Sequence, residues 1–268
     1  MCVASPWLDN TTRGEAHLEK LLILSDIHLS TSVEDRDRFA QVLQHAMSRH
    51  GDARALVLAG DLTEAGKAQE YSALARMLAR VSLPVIPMTG NLDRRRALIA
   101  AFPKAALTDE GHVQAVLDLH RHRIITLDTL DGPPYAGTRH GGRLCPDRIA
   151  WLIRALDSAN GRHKVVIAHH PAMKIGAPGH DAIRLDEGAE LLELLASYPG
   201  THLICGHTHR AASGISRGVP WSTVGSVSRP FALSLESEEI RAGDQPPSYG
   251  VLLLQKQGIA LHHQELPT

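Results

Sequence analysis

Short apolar runs alternate with longer segments in which apolar residues return every three or four positions, and this alternation organises the first third of the chain. The runs at 21–24 (Leu-Leu-Ile-Leu), 55–59 and 83–88 are apolar at successive positions, as strands covered on both faces must be. The segments at 35–49, 67–80 and 94–102 carry the helical period, and Pro103 ends the last of them. This β-α-β-α-β order predicts parallel strands joined by right-handed crossovers. Two shorter segments, 113–118 and 123–127, suit a hairpin or meander and lead into a loop at 131–142 rich in Gly and Pro. Pro146 opens a helix that runs through 156. A buried strand at 164–168, a long loop at 171–186 and a helix at 187–197 follow. Short strands at 201–205, 211–216, 221–224, 249–254 and 259–263 finish the chain. Residues 1–18 read as an irregular N-terminal arm, and 19–268 as a single domain without repeats, heptads or linker composition.

Composition narrows the function more than the fold. The chain has 268 residues, 43% of them hydrophobic, and a formal net charge of -1 with its basic residues dispersed. That leaves no electrostatic footprint for a nucleic-acid polymer or an anionic membrane. The apolar runs are too short to span a bilayer, and no basic stretch followed by an apolar one opens the sequence, so the expected setting is cytoplasmic. Cys2, Cys145 and Cys205 are odd in number and far apart, which argues against a disulfide framework and a thiolate metal site. The 17 histidines matter by placement, because several stand where an apolar run stops.

Five fragments share that placement: Asp26-Ile27-His28, Gly60-Asp61, Gly90-Asn91-Leu92-Asp93, His169-His170-Pro171 and Gly206-His207-Thr208-His209. Loops at the carboxyl ends of strands face a common crevice in open α/β sheets, so these fragments can form one nest of carboxylate, amide and imidazole ligands. Asp26 and His28, two apart, would leave a locally extended segment on the same face. Gly60 lets the backbone turn closely and leaves Asp61 free to bridge two ions. Seven side chains, with one of His169 and His170 counted and Asp61 counted twice, provide roughly four ligands per ion and leave positions for water and substrate. Imidazoles and an amide suit Mn²⁺, Fe, Co²⁺ or Zn²⁺ better than an oxygen cage for Mg²⁺ or Ca²⁺. Such a pair makes a metal-bound hydroxide near neutral pH, the expected nucleophile for in-line attack on a phosphate ester. Two carboxylate ligands and that hydroxide reduce the formal charge of the centre to about +1, which a diester monoanion neutralises.

In their order, the fragments resemble the calcineurin-like metallophosphoesterase superfamily, whose motifs run Asp-x-His, Gly-Asp, Gly-Asn-His-Asp or Glu, His-x-Pro and Gly-His-x-His. Leu127-Asp128-Thr129, His140-Gly141-Gly142-Arg143-Leu144 and Trp151-Leu152 are similar to its bacterial cyclic-nucleotide and glycerophosphodiester phosphodiesterases in particular. The resemblance implies the α/β class, as a four-layer αββα sandwich of two mixed sheets between helices. It selects His169 over His170 and implies two divalent ions. One would be held by Asp26, His28, Asp61 and His209, the other by Asp61, Asn91, His169 and His207. It also implies a small phosphodiester substrate and a homodimer. One position departs from the pattern: Leu92 stands where relatives carry the His thought to stabilise the transition state or protonate the leaving oxygen. The expectation is then a preference for good leaving groups, or an acid supplied elsewhere, with His170, His180 in the long loop, and water as candidates. Leu92, Arg94, Arg143 and Arg229 are the candidate substrate contacts. The competing readings are a phosphomonoesterase of the same fold and a catalytically weak binding or scaffold member.

Overall fold

In β1 (Glu19–Leu24), Leu22 and Leu24 enter one apolar core while Leu21 and Ile23 enter another, because successive strand residues point to opposite faces. The computed structural model that shows this describes residues 19–133, 135–137 and 140–267, so the expected N-terminal arm lies outside the described residues. After β1 come α1 (Val33–His50), β2 (Ala55–Leu58), α2 (Ala68–Leu78), β3 (Val85–Pro87), α3 (Arg95–Ala101), β4 (Ala115–Asp118) and β5 (His122–Leu127). The second half holds α4 (Pro146–Asp157), β6 (His163–Ala168), α5 (Pro178–Asp181), α6 (Gly188–Ala196), β7 (His202–Cys205), β8 (Ala212–Ser216), β9 (Val219–Thr223), β10 (Ser248–Gln255) and β11 (Gly258–Glu265).

The strands form two mixed sheets. The first runs β11-β10-β1-β2-β3, with β1, β2 and β3 parallel and Leu22 opposite Leu56. The second runs β4-β5-β6-β7-β9-β8, with its four central strands parallel. Between the sheets, Leu21, Ile23, Val57 and Met88 pack with Ile124, Val165, Ile167 and Ile204. On the outer face of the first sheet lie Phe39 and Val42 of α1 and Leu74 of α2; on that of the second lie Leu152 of α4 and Leu191 of α6. Three stacked cores make four layers, αββα.

Two local features add to the sequence reading. The segment 171–186 is interrupted by α5, started by Pro178 in its first turn and carrying His180. Of the three consecutive arginines, Arg95 is the one turned inward: its Nε and Nη2 donate to the Asp128 carboxylate at 2.7 and 2.9 Å. Asp128 follows β5 and also accepts from Thr89 Oγ1 and from the N–H groups of Val113 and Leu130. It thereby ties the end of β3 in one sheet to the end of β5 in the other. Burial disfavours its ionised form, but the Arg95 guanidinium holds its carboxyl below the usual carboxylate range.

Removing that charge should therefore weaken the junction between the sheets. Asp128→Asn leaves Arg95 without its partner, a change expected to cost about 3–5 kcal/mol in urea unfolding. Because the folded carboxyl is depressed, its contribution is present above the unfolded carboxylate pKa and fades as pH falls through the folded one. The variant should show a correspondingly shallower acid limb. A loss under about 1 kcal/mol would contradict this role.

Candidate metal centre

The five fragments lie where β1, β2, β3, β6 and β7 end, at one edge of the sandwich. Backbone bonds continue past the strands and fix their register: Asp26 N–H donates to Gly60 O, His28 N–H to Asp61 O, and Gly206 N–H to His169 O. The first two loops are tied by bonds that turn the chain sharply. Asp26 and His28 consequently adopt φ of 55° and 48°, left-handed rather than extended as their spacing suggests. Asp61, His207 and His209 are left-handed too, at 47°, 68° and 53°. Such backbone costs a non-glycine residue about 1–3 kcal/mol and persists only where its surroundings over-determine it. The approach is close enough to require glycine. A Cβ on Gly60, at φ 92°, would sit 2.4 Å from His169 Nδ1, and one on Gly90 would sit 2.3 Å from Asp61 Oδ1.

Each of the four expected imidazoles has one nitrogen tied to an oxygen outside the nest. His169 Nδ1 donates to Ala59 O at 2.8 Å, His209 Nδ1 to Arg229 O at 2.5 Å and His207 Nε2 to Ile183 O at 3.1 Å. His28 Nδ1 meets Glu64 Oε2 at 3.0 Å. A carbonyl or carboxylate oxygen accepts, so the anchoring nitrogen carries a proton and the other faces the nest, with a lone pair whenever the ring is neutral. Those inner nitrogens converge: His28 Nε2 lies 3.1 Å from His209 Nε2, which lies 3.3 Å from Asp26 Oδ1. Asp61 reaches both halves, with Oδ2 at 3.7 Å from His28 Nε2 and Oδ1 at 3.6 Å from His169 Nε2. Asn91 Oδ1 is 3.3 Å from the same nitrogen of His169. Among the described residues, three groups of potential ligand atoms, each within 4.8 Å of one another, result: Asp26, His28 and His209; Asp26, Asp61 and His169; His169, His170 and His207.

The chemistry of these donors fits divalent cations. Asp26 Oδ1 is buried without a hydrogen-bond partner, although Oδ2 accepts from Ser25 Oγ and from His207 N–H. Electron-rich atoms crowd together there, so protons or metal ions must lie among them. Without ions, protons take that place. Burial lowers His169, but the Asp61 and Asp26 carboxylates outweigh it and bring its pKa to about 9. Burial and the neighbouring His169 push His207 down to about 3. Burial opposes ionisation of Asp26 and Asp61, yet the imidazoles hold both well below the ordinary carboxylate range.

The remaining expected residues are more scattered. His170 stands inside the nest with Nδ1 at 2.7 Å from Thr129 Oγ1 and Nε2 unpartnered. His180, also buried with Nε2 unpartnered, lies beside Phe231, whose ring stacks on His209. Leu92 is partly buried, and its N–H donates to Asp61 Oδ1 at 2.8 Å. Arg94 folds onto the carbonyls of Leu92 and Asp93. Arg143 lies between Asp186 and Glu187, and Arg229 pairs with Glu64 at 2.8 Å. Asp93 braces the loops by accepting from Tyr71 OH and from the N–H groups of Leu62 and Gly90. Burial and Asp61 raise its pKa to about 7. The sequence reading passes over Ser25, Glu64 and His140 as members of the site. Ser25 directly precedes Asp26 and Glu64 follows Asp61 by three residues, whereas His140 meets Asn91 only through the fold.

Known proteins place this arrangement in a family. The sequence model of calcineurin-like phosphoesterases matches residues 19–211. The chain is 31% identical over 252 residues to a Rhodopseudomonas palustris protein named "Probable cyclic nucleotide phosphodiesterase", covering 91% of each. It is 28% identical over 213 residues to an Arcobacter nitrofigilis protein named "Probable glycerophosphodiester phosphodiesterase", covering 77% of this chain and 76% of that one. A solved dimetal phosphatase from Danio rerio has the same fold, with a TM-score of 0.67 at 13% identity over 92% of this chain and 96% of that one. Two mixed sheets between helices, with Asp and His side chains gathered where their strands end, are thus accompanied by a family match over most of the length: the chain belongs to the calcineurin-like phosphoesterases.

Proposed function

We propose that the protein is a phosphoric diester hydrolase acting on small diesters, cyclic nucleotides first and glycerophosphodiesters second, with two divalent ions as cofactors. One ion would be held by Asp26, His28, Asp61 and His209, the other by Asp61, Asn91, His169 and His207. The observation that carries this reading is the anchoring of all four imidazoles by their outer nitrogens, which leaves their inner nitrogens facing the two oxygens of Asp61 and the unpartnered Oδ1 of Asp26. The names of the relatives support a diester rather than a monoester. Cys145 and Cys205 are free thiols, in keeping with a cytoplasmic setting.

Ions bound there supply Lewis acidity, lowering the pKa of water and withdrawing charge from phosphate oxygens. The chain's own residues prepare the rest. The Leu92 N–H fixes one oxygen of Asp61 and leaves the other directed at His28, so one carboxylate serves both halves. Asn91 contributes a neutral oxygen, keeping the number of carboxylates in the ligand set at two. Arg94 rests on carbonyls and Arg143 and Arg229 on carboxylates, so each would meet the phosphate by exchanging such a contact. Leu92 offers an apolar wall beside it. His207 would bind through Nδ1, since Nε2 is committed to Ile183 O.

Loading the centre must displace the proton that His169 shares with the carboxylates. Below about pH 9 that proton competes with the cation, so affinity should rise with pH and level off above it. Calorimetry of Mn²⁺ binding at neutral pH, in buffers of different ionisation heat, should show at least one proton released per protein. No release would contradict the assignment of His169.

The activity is tested with bis-(p-nitrophenyl) phosphate and p-nitrophenyl phosphate under the same Mn²⁺ concentration. The diester should turn over faster, and a clear preference for the monoester would overturn the substrate class. Asp61→Ala should lower diester turnover by about 100-fold or more and weaken binding of both ions. Unchanged metal content would remove Asp61 as the bridge.

A further inference from the structure

The two ends of the Asn91 amide are chemically opposite. Its oxygen can face a cation, whereas its NH₂ group would repel one. Oδ1 is 3.3 Å from His169 Nε2, and Nδ2 is 3.1 Å from Nδ1 of His140. An amide nitrogen only donates, so His140 Nδ1 accepts, and the proton of the neutral ring resides on Nε2. This contact selects one of two amide orientations that otherwise differ little in shape. His140 comes from the loop between β5 and α4, far from Asn91 in sequence.

That loop is held against the centre just beyond His140. Gly142 N–H donates to Arg184 O, Asp186 N–H donates to Gly142 O, and Arg143 N–H donates to Thr129 O. Gly142 passes so close to His170 that a Cβ would lie 2.5 Å from its Cγ. The other imidazoles of the centre, and those of His170 and His180, are all buried; His140 is exposed. With Nδ1 committed to Asn91 and the residue exposed, His140 can offer its Nε2–H to a substrate bound beside Asn91.

We propose that His140 is a positioning and substrate-contacting residue. It locks the Asn91 amide with its oxygen toward the second ion, and its Nε2–H donates to an oxygen of the bound phosphate ester. This rests on the two-ion diesterase reading above and adds the group that fixes the amide and meets the substrate from a separate loop.

Mn²⁺ binding isotherms separate the two halves of the proposal. His140→Ala should weaken the second Mn²⁺ by about 10–100-fold and leave the first unchanged. His140→Gln, whose side-chain oxygen can accept from Asn91 Nδ2, should recover most of that affinity. In an Asn91→Asp background no amide remains to be oriented, so adding His140→Ala should leave the second affinity unchanged; a further loss there would overturn the positioning role. At Mn²⁺ concentrations that fill both sites, His140→Ala should still hydrolyse bis-(p-nitrophenyl) phosphate at least about tenfold more slowly than the parent. Full turnover there overturns the substrate contact. A parent that binds two ions and a His140→Ala variant whose second affinity stays within about twofold overturn the proposal alone. A parent that binds fewer than two ions overturns the two-ion reading and this proposal with it.

Discussion

The imidazoles of His28, His169, His207 and His209 are each held from behind. One ring nitrogen is spent on an oxygen supplied by the scaffold, three times a backbone carbonyl and once the Glu64 carboxylate, which is itself paired with Arg229. This fixes both the rotation of the ring and the nitrogen that keeps its lone pair. Free rings could satisfy themselves with water or with one another. Anchored rings instead leave a buried carboxylate oxygen and several nitrogen lone pairs aimed at the same small volume, an arrangement that requires positive charge. The electrostatics of the site follow from this constraint, including the raised pKa of His169 and the depressed pKa of both carboxylates.

The sandwich is what permits such crowding. Left-handed backbone at five positions of the nest and glycines that nearly touch side chains are unfavourable locally. They are held by strands whose two faces are both buried, so the strand ends cannot relax without disturbing a core. The Arg229 carbonyl and the Glu64 pair show the same economy of position: one loop after β9 orients His209 directly and His28 through a carboxylate. Asp93 and Tyr71 brace the loops on the opposite side.

Local pattern carried the elements well. The parallel β1–β2–β3 arrangement is legible because short runs apolar at successive positions alternate with amphipathic segments. The helix expected at 35–49 starts instead at Val33, because the Ser32 hydroxyl caps it by accepting from Asp35 N–H. The stacking of two sheets in four layers is not written in those runs, since Leu56 and Val57 are equally apolar yet enter different cores; resemblance supplied that arrangement. The five fragments are visible because each is contiguous and ends a strand. Their handedness is not, because Asp26 and His28 are turned by bonds to a neighbouring loop. Adjacent residues also defeat a pattern reading. His169 and His170 lie with ring centroids 4.9 Å apart, both inside the nest, and Arg95 rather than Arg94 faces Asp128 only because β5 ends there. His140 is the clearest case: nothing in the sequence around it refers to Asn91.

Anomalous diffraction from crystals grown with Mn²⁺ tests the central claim most directly. The account predicts two peaks, one on each oxygen of Asp61, the first also bonded to Nε2 of His28 and His209 and the second to Nε2 of His169 and Nδ1 of His207. A single peak, or a pair that does not share Asp61, would contradict it.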